Sequence, residues 1–116
     1  MKKNKSEFKS FTSAIYCFEE LLMLDSSKFE IYVKLAELHF TIGRLEHFIL
    51  ARKYFSFVLT INSIAMRPLM GLLRTCEMLK SYEKDEMNQK IIDIIHVKLK
   101  NIYKQSDIAS SVKNIF

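Results

Sequence analysis

Glycine and proline are scarce in this sequence: two of the first and one of the second in 116 residues. An all-β sandwich or barrel needs many tight turns, which those residues supply, so both are excluded. The two glycines, Gly43 and Gly71, lie far apart. No glycine-rich phosphate loop can therefore be built, which removes Rossmann and P-loop domains. Tryptophan is absent, and the two cysteines, Cys17 and Cys76, form no CxxC pair. Two thiols cannot staple a secreted mini-domain, so a reduced, cytosol-facing chain is the expectation. The three histidines, His39, His47 and His96, show no metal-ligand spacing, and no bound metal or other cofactor is expected. Apolar runs such as Phe48 to Ala51 are a few residues long, against the roughly 20 that a spanning helix needs. The basic start, Met1 to Lys5, resembles that of a signal peptide. Glu7, Lys9, Glu19 and Glu20 then interrupt any apolar core, so no signal is expected.

What is present is an ordinary globular composition, 49% hydrophobic and 27% charged, which argues against wholesale disorder. The net charge of +5 is unevenly spread. Residues 1–10 hold four lysines and one acid, and residues 41–81 hold six basic residues and two acids. Such a middle could touch nucleic acid or acidic lipid, but a solvated helical face explains it better. No RNP-type run or Cys/His finger supports nucleic acid, and none is expected as a partner. Catalytic chemistry is not expected either. Thr12, Ser13, Cys17 and Cys76 have no histidine placed by a local motif to activate them. Glu19 and Glu20 are adjacent, which on a helix points them about 100° apart, so they make no dyad.

Helical spacing runs through the chain. Phe8, Phe11, Ile15, Phe18 and Leu22 predict a helix ending near Leu24. Ser27 followed by Glu30 reads as a capping box opening the second, with Ile31, Leu35, Leu38 and Ile42 on one stripe and Gly43 as a left-handed stop. A third helix, from about Glu46 to Asn62, carries Phe48, Ala51, Phe55 and Val58. A fourth carries Met66, Leu69, Leu72, Leu73, Cys76 and Leu79, with Pro68 tolerated in its first turn. A fifth spans roughly residues 83–105. Residues 1–7 read as a basic tail, and residues 106–116 as a polar tail or short helix.

The helices repeat. Ala14 and Phe18 recur 37 residues on as Ala51 and Phe55, and Tyr32 and Leu35 as Leu69 and Leu72. This resembles the tetratricopeptide repeat, a helical hairpin of about 34 residues. The predicted fold is all-α, a tetratricopeptide-like superhelix over residues 8–105 with a longer C-terminal helix. Phe18 should meet the Tyr32–Ala36 helix, and Phe55 the Leu69–Leu73 helix.

A more specific likeness rests on Gly43-Arg44-Leu45-Glu46, Ala51-Arg52-Lys53-Tyr54-Phe55, Leu59, Ile61-Asn62, Met66-Arg67, Leu69 and Gly71-Leu72. With Cys17-Phe18-Glu19-Glu20-Leu21 upstream and Asp85-Glu86-Met87 downstream, the stretch 14–105 resembles the subunit 2 family of the endoplasmic reticulum membrane protein complex. The resemblance implies a non-catalytic scaffold, peripheral on the cytoplasmic side of the endoplasmic reticulum membrane. It implies partnership with other subunits, and support for insertion of transmembrane proteins, tail-anchored ones included. Membrane contact would come only through partners. Members of that family are longer, so the chain reads as a short or N-terminally truncated member. The alternative is a generic tetratricopeptide adaptor binding a peptide tail or chaperone.

Candidate partner-binding residues follow. Arg67 and Arg74 are two turns apart on the fourth helix and emerge on one face, where they could grip an acidic segment. Arg52 and Lys53 are either solvated charges or partner contacts. The first helix reads as the second half of a hairpin whose first helix is missing. Phe8, Phe11 and Ile15 are therefore expected to stand uncovered and to need a partner.

Overall fold

A computed structural model describes the backbone of residues 5–115 and the side chains of residue 7 and residues 9–105. Five helices follow one another: α1 (Lys5–Leu24), α2 (Phe29–Ile42), α3 (Leu45–Ile61), α4 (Met66–Leu79) and α5 (Met87–Ile115). No strand occurs among the described residues. The chain is all-α, as its composition required.

The turns are built from short-range chemistry. Gly43 closes α2 in the left-handed conformation, φ +80°, and its N–H donates to the His39 carbonyl. A side chain there would meet the Cβ penalty that glycine escapes. Between α1 and α2 the expected capping box does not form. The position before α2 is Lys28, with no side-chain cap. Ser27 instead donates from both its backbone N–H and its hydroxyl to Asp25 Oδ1. The Asp side chain thus competes with the helix cap for Ser27, as short acidic side chains do in turns. The expected start of α5 at residue 83 also moves, to Met87. Asp85 accepts from the Met87 N–H, while the Glu83 side chain is engaged elsewhere. At the other end α5 runs on through residues 106–115, part of the segment that the sequence reads as a polar tail or short helix.

Two apolar clusters hold the helices together. The larger joins Val33 and Ala36 of α2, Ala51, Phe55 and Val58 of α3, Leu69, Leu72, Leu73 and Cys76 of α4, and Ile92, Ile95 and Leu99 of α5. The smaller joins Ile15 of α1 to Ile31 and Leu35 of α2, with Phe18 and Leu22 against it. Tyr54 touches both clusters. Each helix packs on the next in sequence, and α2 also approaches α4. That is the arrangement expected of stacked helical hairpins. Both contact expectations hold. Phe18 packs on the α2 cluster, and the Phe55 ring lies so close to Gly71 that an added Cβ would fall 2.4 Å from it.

The expectation for the first helix is corrected in part. Ile15 is buried, 8% exposed, because α2 covers it. Phe11 is half-buried, and the Phe8 side chain lies outside the described residues. The open apolar residues of α1 are others: Tyr16, Leu21, Met23 and Leu24.

Candidate functional site

A groove with convergent polar groups lies between α2 and α4. It encloses about 330 Å³ and is lined by Glu37, Phe40 and Thr41 of α2 and by Arg67, Met70 and Arg74 of α4, with Phe55 and Gly71 at its base. Gly71 lets α4 settle onto the Phe55 ring, where a larger residue would force it outward.

Arg67 and Arg74 both line this groove, as their two-turn spacing implied. They differ in state. Arg67 is bidentate with Glu37: Nε donates to Oε2 at 2.7 Å and Nη2 to Oε1 at 2.5 Å. The Glu37 carboxylate holds the Arg67 guanidinium above its ordinary pKa. Both partners are substantially exposed, so the pair fixes geometry more than it stabilises. Arg74 is exposed and makes no ion pair among the described residues. It is the cation of the groove that is left to meet something else.

Arg52 and Lys53 separate completely. Lys53 is exposed. Arg52 is turned inward, its side chain 15% exposed, and braces the molecule. Its Nη1 donates to Glu83 Oε2 and to Asn88 Oδ1, each at 2.8 Å. Asn88, fully buried, donates in turn from Nδ2 to Glu83 Oε2. The hydrogen bonds from Arg52 and Asn88 hold the Glu83 carboxyl below the usual carboxylate range. This network ties α3 to the loop before α5 and to its first turn. Arg52 is therefore engaged within the chain and is not an ordinary solvated charge. A buried asparagine 36 residues away carried no local signal of this.

A second feature the spacing did not reveal is a histidine pair. His39 and His47 stand four residues either side of Gly43, so the turn folds them face to face. Their Nδ1 atoms are 2.8 Å apart and the rings stack, and the Tyr54 ring also stacks on His39. His39 is 4% exposed, and its Nε2 is buried without a partner. Burial, and secondarily His47, lower its pKa to about 4. Burial likewise raises the Tyr54 phenol, with Glu19 and Tyr32 adding to it. Symmetry about Gly43 was the available signal. No group of three or more His, Cys, Asp or Glu that could hold a metal occurs among the described residues.

The thiols have different surroundings. Cys76 is buried, and burial raises its pKa to about 11, which makes it a poor nucleophile. Cys17 is exposed on α1. Among the described residues no helix is long and apolar enough to cross a membrane.

Known proteins resemble this chain in sequence, although no family model matches it. It is 35% identical over 80 residues to ER membrane protein complex subunit 2-B of Xenopus laevis, which is 69% of this chain and 27% of that protein. It is 40% identical over 62 residues to ER membrane protein complex subunit 2 of Xenopus tropicalis and to subunit 2-A of Xenopus laevis. Those matches cover 53% of this chain and 21% of each relative. The chain spans about a quarter of the length of the curated relatives it matches. Its curated homologues are therefore proteins named as subunit 2 of the ER membrane protein complex, in agreement with the motifs between Gly43 and Leu72.

Proposed function

We propose that the chain is a non-catalytic scaffold subunit of an ER membrane protein complex. The observation that carries this is the 35–40% identity to proteins named as subunit 2 of that complex. A stack of helical hairpins supports it, because such stacks present extended side-chain surfaces rather than reaction centres. On this reading residues 8–105 are a tetratricopeptide-like repeat unit lying on the cytoplasmic face of the endoplasmic reticulum. It holds other subunits in place, and the assembly supports insertion of transmembrane proteins, tail-anchored ones included. The surfaces offered to partners are Arg74 with the Arg67–Glu37 pair in the α2–α4 groove, Lys53 on α3, and the open side of α1.

The test is affinity purification of the tagged chain from gently solubilised endoplasmic reticulum membranes. Multi-span membrane proteins should come with it in fixed ratio. Recovery of cytosolic chaperones alone would replace this reading with that of a generic adaptor. The α2–α4 groove, with an unpaired Arg74 beside the apolar Met70 and Phe40, is the observation that favours that second reading.

A further inference from the structure

We infer that the valley between α3 and α5, floored by α4, docks an amphipathic helix of a partner protein, one whose apolar stripe is flanked by acidic residues. Leu69 and Leu72 of α4 form the floor. Leu59 and Thr60 of α3 form one wall, and Ile91, Ile94 and Lys98 of α5 the other. Leu59 and Ile91 are half-buried, and Ile94 at the rim is 57% exposed. Among the described residues α3 and α5 each pack on α4 and not on each other, which leaves the valley open between them. Leu72 and Arg74 are two residues, about 200°, apart on α4, so the valley and the α2–α4 groove lie on opposite sides of that helix.

Shape selects a helix. The valley encloses about 200 Å³, less than the roughly 300–1,000 Å³ of a small-molecule pocket, so its occupants are side chains. Its walls are helices, whose backbone groups are already bonded internally, and no strand can be added to them. An extended peptide would lay unpaired N–H and C=O groups against Leu59, Ile91 and Ile94, whereas a helix arrives with its backbone satisfied. A flat bilayer surface fits worse, because Leu69 and Leu72 are recessed between two helices.

Charge sets the flanks of the occupant. Lys98 is half-buried in the wall, as a lysine is when its stem lies on apolar surface and its ammonium stays in water. Lys90 lies one turn before Ile94 and Lys98 one turn after it, each about 40° from it around α5. Lys53 lies two turns before Thr60 and about 20° from it around α3. Lys53 and Lys90 are exposed, and none of the three lysines makes an ion pair among the described residues. No acidic side chain among those residues lines the valley. Glu46, the single acid of α3, is about 15 Å from Ser56 along the helix. Asp93 is turned about 100° from Ile94 and accepts from Gln89 Nε2. Three unpaired cations around an apolar floor select carboxylates on both sides of the partner's apolar stripe.

Fluorescence anisotropy with labelled synthetic peptides of about 18 residues, about five helical turns, tests this. The probe carries leucines at i, i+3, i+4 and i+7 with glutamates on both flanks. One control replaces every glutamate by lysine, and another scrambles the order. The glutamate peptide should bind one-to-one, and both controls at least about tenfold more weakly. Ile94→Asp should raise the Kd by more than about tenfold. Lys90→Glu with Lys98→Glu should raise it by about tenfold, and should bring the lysine peptide to within about threefold of the parent pairing. These rim substitutions leave folding intact by circular dichroism. Arg74→Ala, on the other side of α4, should leave the Kd within about twofold. No binding of the glutamate peptide would overturn the inference. So would binding indifferent to Ile94→Asp and to the lysine reversals, or binding lost on Arg74→Ala, which would seat the peptide in the α2–α4 groove. Binding to phosphatidylserine vesicles that Ile94→Asp and the lysine reversals abolish would overturn it too, by assigning the valley to a membrane surface. A chain that ignores the peptide yet purifies with membrane subunits would overturn the docking valley while leaving the scaffold reading intact.

Discussion

Gly71 occupies a place where a methyl group has no room, because the Phe55 ring would lie 2.4 Å from it. Gly71→Ala gains about 1 kcal/mol of helix propensity. It forces Phe55 from its socket at the centre of the α3–α4 contact, and overpacking of that kind costs about 1–3 kcal/mol. A net loss of up to about 2 kcal/mol is expected in urea denaturation. A gain in stability would show that the ring moves freely. His39 carries a pH dependence whose direction is fixed by its environment. Its pKa falls from 6.5 to about 4 on folding. Between those values the unfolded chain binds a proton that the folded chain refuses, so stability declines as pH falls from about 6.5 toward 4. The loss is on the order of 3 kcal/mol. His39→Phe keeps an apolar ring against Tyr54 and removes the titration, so its stability between pH 7 and 5 should change much less than that of the parent. Equal slopes would assign the pH dependence to other groups. Neither Gly71's role nor His39's burial could be read from residue type alone. Both depend on which ring from another helix arrives beside them.

The helices themselves were legible, because their apolar residues keep a period of 3.6 and the turns between them are marked by polar residues or Gly43. Ile31 and Leu35 of α2, Phe55 of α3 and Leu69 of α4 are all buried where the stripes placed them. The joints were less legible, because a turn is decided by whichever short polar side chain wins a nearby N–H. Asp25 takes Ser27 from the expected cap, and Glu83 is drawn out of α5 by Arg52. The Arg52–Glu83–Asn88 network is the strongest polar brace between elements. Arg52→Ala should destabilise the chain by about 2 kcal/mol, since it leaves a buried Asn88 and a carboxylate short of donors. Arg52→Lys should not restore the loss, because an ammonium lacks the planar fork that serves two acceptors. The Glu83 contribution is present above its unfolded pKa of 4.5 and fades as pH falls below that value. Thermal melts of both variants at pH 7 and pH 4 check the point. A loss from Arg52→Ala that is as large at pH 4 as at pH 7 would argue that packing of the arginine stem is what matters.

Across the whole molecule, stability should be graded rather than uniform. The large cluster draws on four helices, α2 to α5, and contains the fully buried Phe55, Leu69 and Cys76. The small cluster rests on Ile15, Ile31 and Leu35, and reaches the large one through Tyr54. In a linear stack each helix is stabilised by its neighbours, so an end with one neighbour opens at lower cost than the middle. Amides of α1 should therefore exchange with solvent deuterium first, and those of α3 and α4 last. Tyr54→Ala removes the ring shared by the two clusters and stacked on His39. It should lower protection in α1 and the first turns of α2 more than in α4. Uniform protection across all five helices would show a single cooperative unit, with the Tyr54 bridge as strong as the core it joins.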